Sequence, residues 1–125
     1  MFSHVMLGAN DLEKSKSFYD AILGAIGYEP GVADDKGRVF WMNKTGIFSI
    51  SKPIDGEPAC HGNGSTLGFS VESIDAGNAW HAAGLENGGT DCEEAPGLRE
   101  GSTGSMFLAY LRDPSGNKIC ALHRL

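Results

Sequence analysis

An α+β fold built from two βαβββ modules is predicted for this chain by three observations. The first is an internal repeat. The segment from His4 through Leu12, with Phe18-Tyr19 and Leu23, recurs about 62 residues later as Thr66 through Ile74, with Trp80-His81 and Leu85. The second is that each copy switches from strand-like alternation to an apolar stripe at helical spacing. The third is punctuation: 18 glycines and 5 prolines cluster between the periodic segments, as short strands joined by tight turns require.

Each element has its own signal. Phe2–Ala9 alternates as a strand. Asn10 or Asp11 can cap the following helix, with Glu13 three residues after Asn10 as in a capping box. Leu12, Phe18, Tyr19, Ile22 and Leu23 form the buried stripe of that helix, and Gly24 and Gly27 end it. A loop at Tyr28–Gly31 leaves room for a short strand. Asp34–Gly37 reads as a hairpin turn into strand Arg38–Met42, and Asn43–Gly46 as a second turn into strand Ile47–Ser51. Module one is residues 1–52, a Pro- and Gly-rich linker is 53–64, and module two is 65–125. Module two repeats the order, with strand Ser65–Val71 and a helix capped by Ser73 that carries Ile74, Trp80, Ala83 and Leu85. A polar loop follows at Asp91–Gly104, containing an Ala95–Arg99 turn. The strands Met106–Leu111 and Lys118–His123 flank a turn at Asp113–Asn117, where Pro114 and Gly116 supply the turn conformations. Side by side, two such modules make a curved, partly closed mixed sheet with the helices outside and a cleft inside.

Composition narrows the function. One domain fits 125 residues, and 41% apolar residues can fill a core. A net charge of −6 argues against a nucleic-acid or anionic-membrane partner, and no run approaches membrane-spanning length. Three widely spaced cysteines without CxxC spacing argue against a disulfide framework or structural zinc. The start of the sequence has no basic n-region or long apolar run, so a soluble cytoplasmic protein is expected.

The chain resembles the vicinal-oxygen-chelate superfamily, which includes glyoxalase I, extradiol dioxygenases, fosfomycin-modifying enzymes and bleomycin-resistance proteins. His4, Asn10-Asp-Leu-Glu-Lys-Ser15 and Phe18-Tyr19 carry the resemblance in the first half. Gly62-Asn-Gly64, Trp80-His81-Ala-Ala, Gly88-Gly-Thr90, Ala95-Pro-Gly97, Arg99 and Tyr110 through Ile119 carry it in the second. The resemblance implies four converging positions, one on the first and last strand of each module, which hold a divalent ion in the metalloenzymes of the group. Here those positions are His4, Ser49, Thr66 and Cys120. One imidazole, two hydroxyls and a thiol make a poor set for a divalent ion, so no metal cofactor is expected.

Strand alternation places His4 and Met6 on the cleft face of the first strand, with Arg38, Phe40, Met42 and Ser49 on its neighbours. In module two it places Thr66, Leu108, Tyr110, Lys118 and Cys120 there. The resulting pocket is apolar and aromatic, with Arg38 and Arg99 suggesting an anionic or polarised ligand. A small amphipathic or aromatic molecule is the expected partner. The alternative is a lyase, isomerase or dioxygenase-type enzyme, using His4 either with a metal or in metal-free acid–base chemistry assisted by Tyr110 or Cys120. His81 reads as facing solvent or an outer packing layer, and His61 and His123 as lacking a partner. Open sheet edges favour a homodimer, with modules paired within one chain or exchanged between two.

Overall fold

The computed structural model describes all residues 1–125. Its elements are β1 (His4–Gly8), α1 (Leu12–Gly24), β2 (Val32–Ala33), β3 (Val39–Asn43), β4 (Gly46–Ser51), β5 (Leu67–Ser70), α2 (Ile74–Glu86), β6 (Thr90–Asp91), β7 (Gly97–Gly101), β8 (Gly104–Arg112) and β9 (Lys118–Arg124). The fold is α+β; module one has the expected βαβββ order, and module two keeps that order with one added strand, β7. Module one forms a sheet β1-β4-β3-β2, and module two forms β5-β9-β8-β6 with β7 also paired to β8. β1 runs parallel to β4 and β5 parallel to β9, because a helix crossover precedes the later strand in each case.

The single curved sheet that the repeat suggests is two separate sheets of four and five strands in this chain. β1 has a hydrogen-bonded neighbour only in β4, and β5 only in β9, so each leaves one edge unpaired. The polar loop after β6 is corrected too. Its centre is β7, which forms a hairpin with β8 closed by Gly104 at φ 115°. The Ala-Pro-Gly pattern there hides a strand whose only partner is its successor.

α1 starts on Asp11, which accepts from the Lys14 amide at 3.0 Å. Asn10 is not the cap. Its side-chain oxygen instead accepts from Ala59 N–H at 2.7 Å, tying the inter-module linker against β1. α1 ends where Gly27 takes φ 97° and Tyr28 N–H reaches back to Leu23 O. α2 starts on Ser73, as expected.

One core serves both modules. Phe18, Tyr19, Ile22 and Leu23 of α1 pack with Trp41, Phe48 and Ile50, and with Trp80, Phe107, Leu111 and Ile119 of the second module. Aromatic edges carry the contact across the junction: Phe48 meets Tyr19 at 4.6 Å and Phe69 at 5.2 Å between ring centroids, and Phe69 meets Trp80 at 6.3 Å.

Polar contacts reinforce the junction. Tyr19 Oη donates to Asp113 Oδ2 at 2.6 Å, and Asn117 Nδ2 donates to the same oxygen and to Gly8 O. The β8–β9 turn is thereby fastened to α1 and to the end of β1. His81, expected to face solvent or an outer packing layer, is buried at 8% exposure and pairs with exposed Asp91 at 3.1 Å. The reason is the small-residue face of α2: Gly77 and Gly84 let the helix approach β8 so closely that Trp80 and His81 are both drawn inward.

Candidate functional site

The unpaired edges of β1 and β5 face a cavity of about 1020 Å³ between the modules. His4, Val5, Tyr28, Trp41, Asn43 and Phe48 contribute from module one. Module two contributes Thr66–Glu72 and His123. Successive side chains of a strand point to opposite faces, yet consecutive residues of β5 all line this space. The cavity therefore wraps around the free edge of β5. Its walls include the aromatic side chains that face the helices, beyond the sheet surfaces that alternation alone would select.

Two imidazoles reach it. His4 is exposed and its Nδ1 shares a hydrogen bond of 2.8 Å with Ser3 Oγ. His123 is half-buried, with Nδ1 3.0 Å from Val71 O. A carbonyl oxygen only accepts, so Nδ1–H is the donor of this pair. His123 thus has the partner that sequence reading did not find. The available signal was its place in β9: it shares a face with Ile119 and Ala121, and a histidine on a core-facing row needs a hydrogen-bond partner.

Of the expected site residues, the structure brings His4 and Thr66 into this cavity. Met6, Ser49 and Phe40 lie in register across β1, β4 and β3. The equivalent row of module two is Gly68, Cys120 and Tyr110. These rows occupy matching places in the two modules, as the repeat requires, but within one chain they do not line a shared pocket. Met42 is exposed on β3. Leu108 and Tyr110 line a smaller recess of about 370 Å³ with Glu93, Glu94 and Arg99.

The charges expected to hold an anion are already engaged. Arg38 Nε binds Asp34 Oδ2 at 2.6 Å, and its guanidinium lies 5.6 Å from the centre of the Phe40 ring. Arg99 donates to the Ala95 and Leu98 carbonyls and approaches Glu94 at 3.5 Å. Lys118 pairs with Glu93 and stands 5.1 Å over the Tyr110 ring.

The four metal-type positions do not supply a donor set. Ser49 is fully buried and spends its hydroxyl on Val5 O at 3.1 Å. Burial pushes the Cys120 thiol above its usual pKa, and Glu93 adds to the effect against the opposing charge of Lys118. Tyr110 is likewise raised by burial, with Cys120 and Glu93 adding to it. No group of three His, Cys, Asp or Glu side chains lies close enough to hold an ion.

The state of Cys120 has a direct consequence. The thiolate is the reactive form, and both burial and the raised pKa suppress it. Exposed Cys60 is expected to alkylate with iodoacetamide at pH 8 at least about tenfold faster than Cys120. Peptide mass mapping over a time course checks this, and equal rates would place Cys120 in a far more open setting.

Paired βαβββ-type modules joined through one aromatic core define a class of α+β proteins. The chain belongs to the Glyoxalase/Bleomycin resistance protein/Dioxygenase superfamily, whose model matches residues 1–121. Its structure is similar to that of a glyoxalase/bleomycin resistance protein from Albidiferax ferrireducens T118, with 62% identity, 99% of both chains covered and a TM-score of 0.96. The fold is shared with a glyoxalase/bleomycin resistance protein/dioxygenase family enzyme from Burkholderia phytofirmans PsJN (16% identity, 98% of both chains, TM-score 0.75). It is also shared with a lactoylglutathione lyase from Agrobacterium tumefaciens (19% identity, 98% of this chain and 92% of that one, TM-score 0.67). No protein of curated function matches the sequence. No helix is long and apolar enough to cross a membrane.

Proposed function

We propose that this protein binds a small amphipathic or aromatic molecule in the cavity between its modules, without a catalytic metal. The observation that carries the reading is the lining. Half-buried Tyr28 and Phe69 give apolar faces for a ring system, backed by the buried Trp41 and Phe48, while His4, Thr66 and Ser70 give polar groups that can orient it. A roomy, largely apolar space with a few polar groups is the usual form of a small-molecule site. The bleomycin resistance name borne by similar structures fits a protein that sequesters its ligand. The enzymatic alternative rests on His4 as an exposed acid–base group at the cavity edge. His4→Ala separates the two, since a pure binding protein has no turnover for that variant to lose.

Trp41 lies buried behind the cavity wall and Trp80 is buried in the core, so an emission change that survives Trp80→Phe reports on the cavity side. A panel of planar aromatic compounds titrated against the protein is expected to yield ligands that quench Trp41 emission. At a hundredfold excess over Kd such a ligand adds about 2.7 kcal/mol of stability. Thr66→Trp places a large side chain at the exposed position just before β5, where Thr66 lines the cavity, and is expected to abolish the binding. Ligands that bind this variant as tightly as the wild type would sink the cavity reading.

A homodimer in the cytoplasm is part of the same proposal. Met6, Met42, Val32 and Leu98 are 41%, 62%, 64% and 57% exposed, apolar surface that a second copy can cover. All three cysteines are free thiols, which suits a reducing compartment.

A further inference from the structure

We propose that Asn63 is a site of spontaneous self-modification, where the side-chain amide closes onto the Gly64 nitrogen and hydrolysis leaves aspartate or isoaspartate in the linker. The inference is independent of what the cavity binds.

The sequence holds two Asn-Gly pairs, Asn63-Gly64 and Asn87-Gly88. Glycine has no Cβ to shield its nitrogen from the preceding amide carbon, so both pairs meet the covalent requirement. The backbone of the second residue does not separate them, since Gly64 and Gly88 take φ 97° and 98°. Both asparagines are exposed, so water reaches both. They differ in how the asparagine amide is held.

Asn87 caps the C-terminus of α2. Its Nδ2 donates to Ala83 O at 2.8 Å, which turns the amide back along the helix. Its own N–H and that of Gly89 both donate to Gly84 O, at 3.2 and 2.8 Å, so the chain is pinned on each side of the pair. Asn63 instead sits at the centre of a turn closed by its flanks. Ser65 N–H and Oγ donate to Gly62 O at 2.9 and 2.7 Å, while neither the Asn63 amide nor the Gly64 N–H joins a hydrogen bond. The two reacting groups are adjacent and free.

The step is balanced without a redox partner. A bond forms between the Gly64 nitrogen and Asn63 Cγ, and the Cγ–Nδ2 bond breaks. Ammonia leaves with the proton from Gly64 N. Water then adds to either carbonyl of the imide ring. The isoaspartyl product carries an extra methylene in the main chain of the turn that leads to Thr66 at the cavity edge. Either product adds one negative charge to a chain of formal net charge −6. Asp55-Gly56 can close the same ring, but it loses water and leaves the charge unchanged.

The test holds purified protein at mildly alkaline pH and body temperature. Peptide mapping by mass spectrometry follows both pairs, and ion-exchange chromatography follows the acidic product. Asn63 is expected to convert at least about tenfold faster than Asn87, because freeing the Asn87 amide adds about one hydrogen bond to its barrier. Asn63→Gln is expected to abolish the acidic species, since glutamine would have to close a less favourable six-membered ring, and Asn87→Gln to leave it unchanged. In urea the bonds to Ala83 and Gly84 are lost, and the two rates are expected to converge. Equal rates in the folded protein, or an acidic species that persists in Asn63→Gln, would overturn the proposal. Selectivity undiminished in urea would overturn it too, since the choice of site would then come from flanking residues and not from the fold.

Discussion

Replacing Asp113 with Ala is expected to cost about 3–5 kcal/mol of stability, because the carboxylate satisfies four buried or half-buried donors at once. Tyr19 Oη and Asn117 Nδ2 meet Oδ2 at 2.6 and 2.8 Å, and the Ser115 and Asn117 amides meet Oδ1 at 2.8 and 2.9 Å. Removing the acceptor strands Tyr19, which is fully buried, and loosens the turn whose Asn117 holds Gly8 of β1. For a chain of this size the loss corresponds to a Tm drop on the order of 10–20 °C. Urea unfolding followed by circular dichroism measures it, and a loss below about 1 kcal/mol would show that the network is dispensable. Asp113→Asn is expected to fall between the two, since it keeps one acceptor and sets a new N–H₂ against the Asn117 donor.

The same network gives the protein an alkaline weakness. Burial raises the Tyr19 hydroxyl well above its ordinary pKa, and the charge and hydrogen bond of Asp113 raise it further. A group whose folded pKa is raised contributes no pH dependence below its unfolded value near about 10, and stability falls as pH rises beyond it. Tyr19→Phe is expected to flatten that alkaline decline at the cost of one hydrogen bond. The functional consequence lies in geometry. β1 carries His4 at one end and is anchored through Gly8 at the other, so loosening the Asp113 turn also loosens one wall of the cavity.

The architecture was legible because it is written in redundant signals. The repeat, the Ser73 cap, the Gly27 exit and the Asp113–Asn117 turn each rest on local chemistry that acts within a few residues, and each is found where expected. The cross-strand registers set Met6 beside Ser49, Ser49 beside Phe40, and Cys120 beside Tyr110. Alternation says which face a residue occupies and nothing about which faces meet. The separation of the two sheets, the free edge of β5, and the capture of Arg38 by Asp34 all depend on contacts between segments distant in sequence or on side-chain rotamers. His123 escaped for the same reason, being positioned by a carbonyl 52 residues away.

Gly84→Leu is expected to destabilise the protein by about 3 kcal/mol or more, and the sign of glycine substitutions along the two helices should depend on contact alone. A Cβ at Gly84 would sit 2.3 Å from Leu111 Cδ1, 3.2 Å from Ile22 Cγ2 and 3.3 Å from Phe18 Cε2. All three neighbours are fully buried, so none can swing into solvent. Relief requires α2 to move away from β8 and α1, which would reopen the core that joins the modules. Even Gly84→Ala is expected to be destabilising, because the overpacking outweighs the gain of up to about 1 kcal/mol in helix propensity. Gly24 is the counter-case. It closes α1 with nothing within 4 Å of an added methyl and without positive φ, so Gly24→Ala should stabilise by about 0.5–1 kcal/mol. Parallel urea titrations of the two alanine variants decide the matter, since propensity alone predicts the same sign for both and packing predicts opposite signs. A stabilised Gly84→Ala would mean that α1 and α2 do not lock the modules together as tightly as Leu111, Ile22 and Phe18 imply. The cavity between β1 and β5 would then have to be regarded as adjustable in width, its aromatic walls following the ligand rather than selecting it.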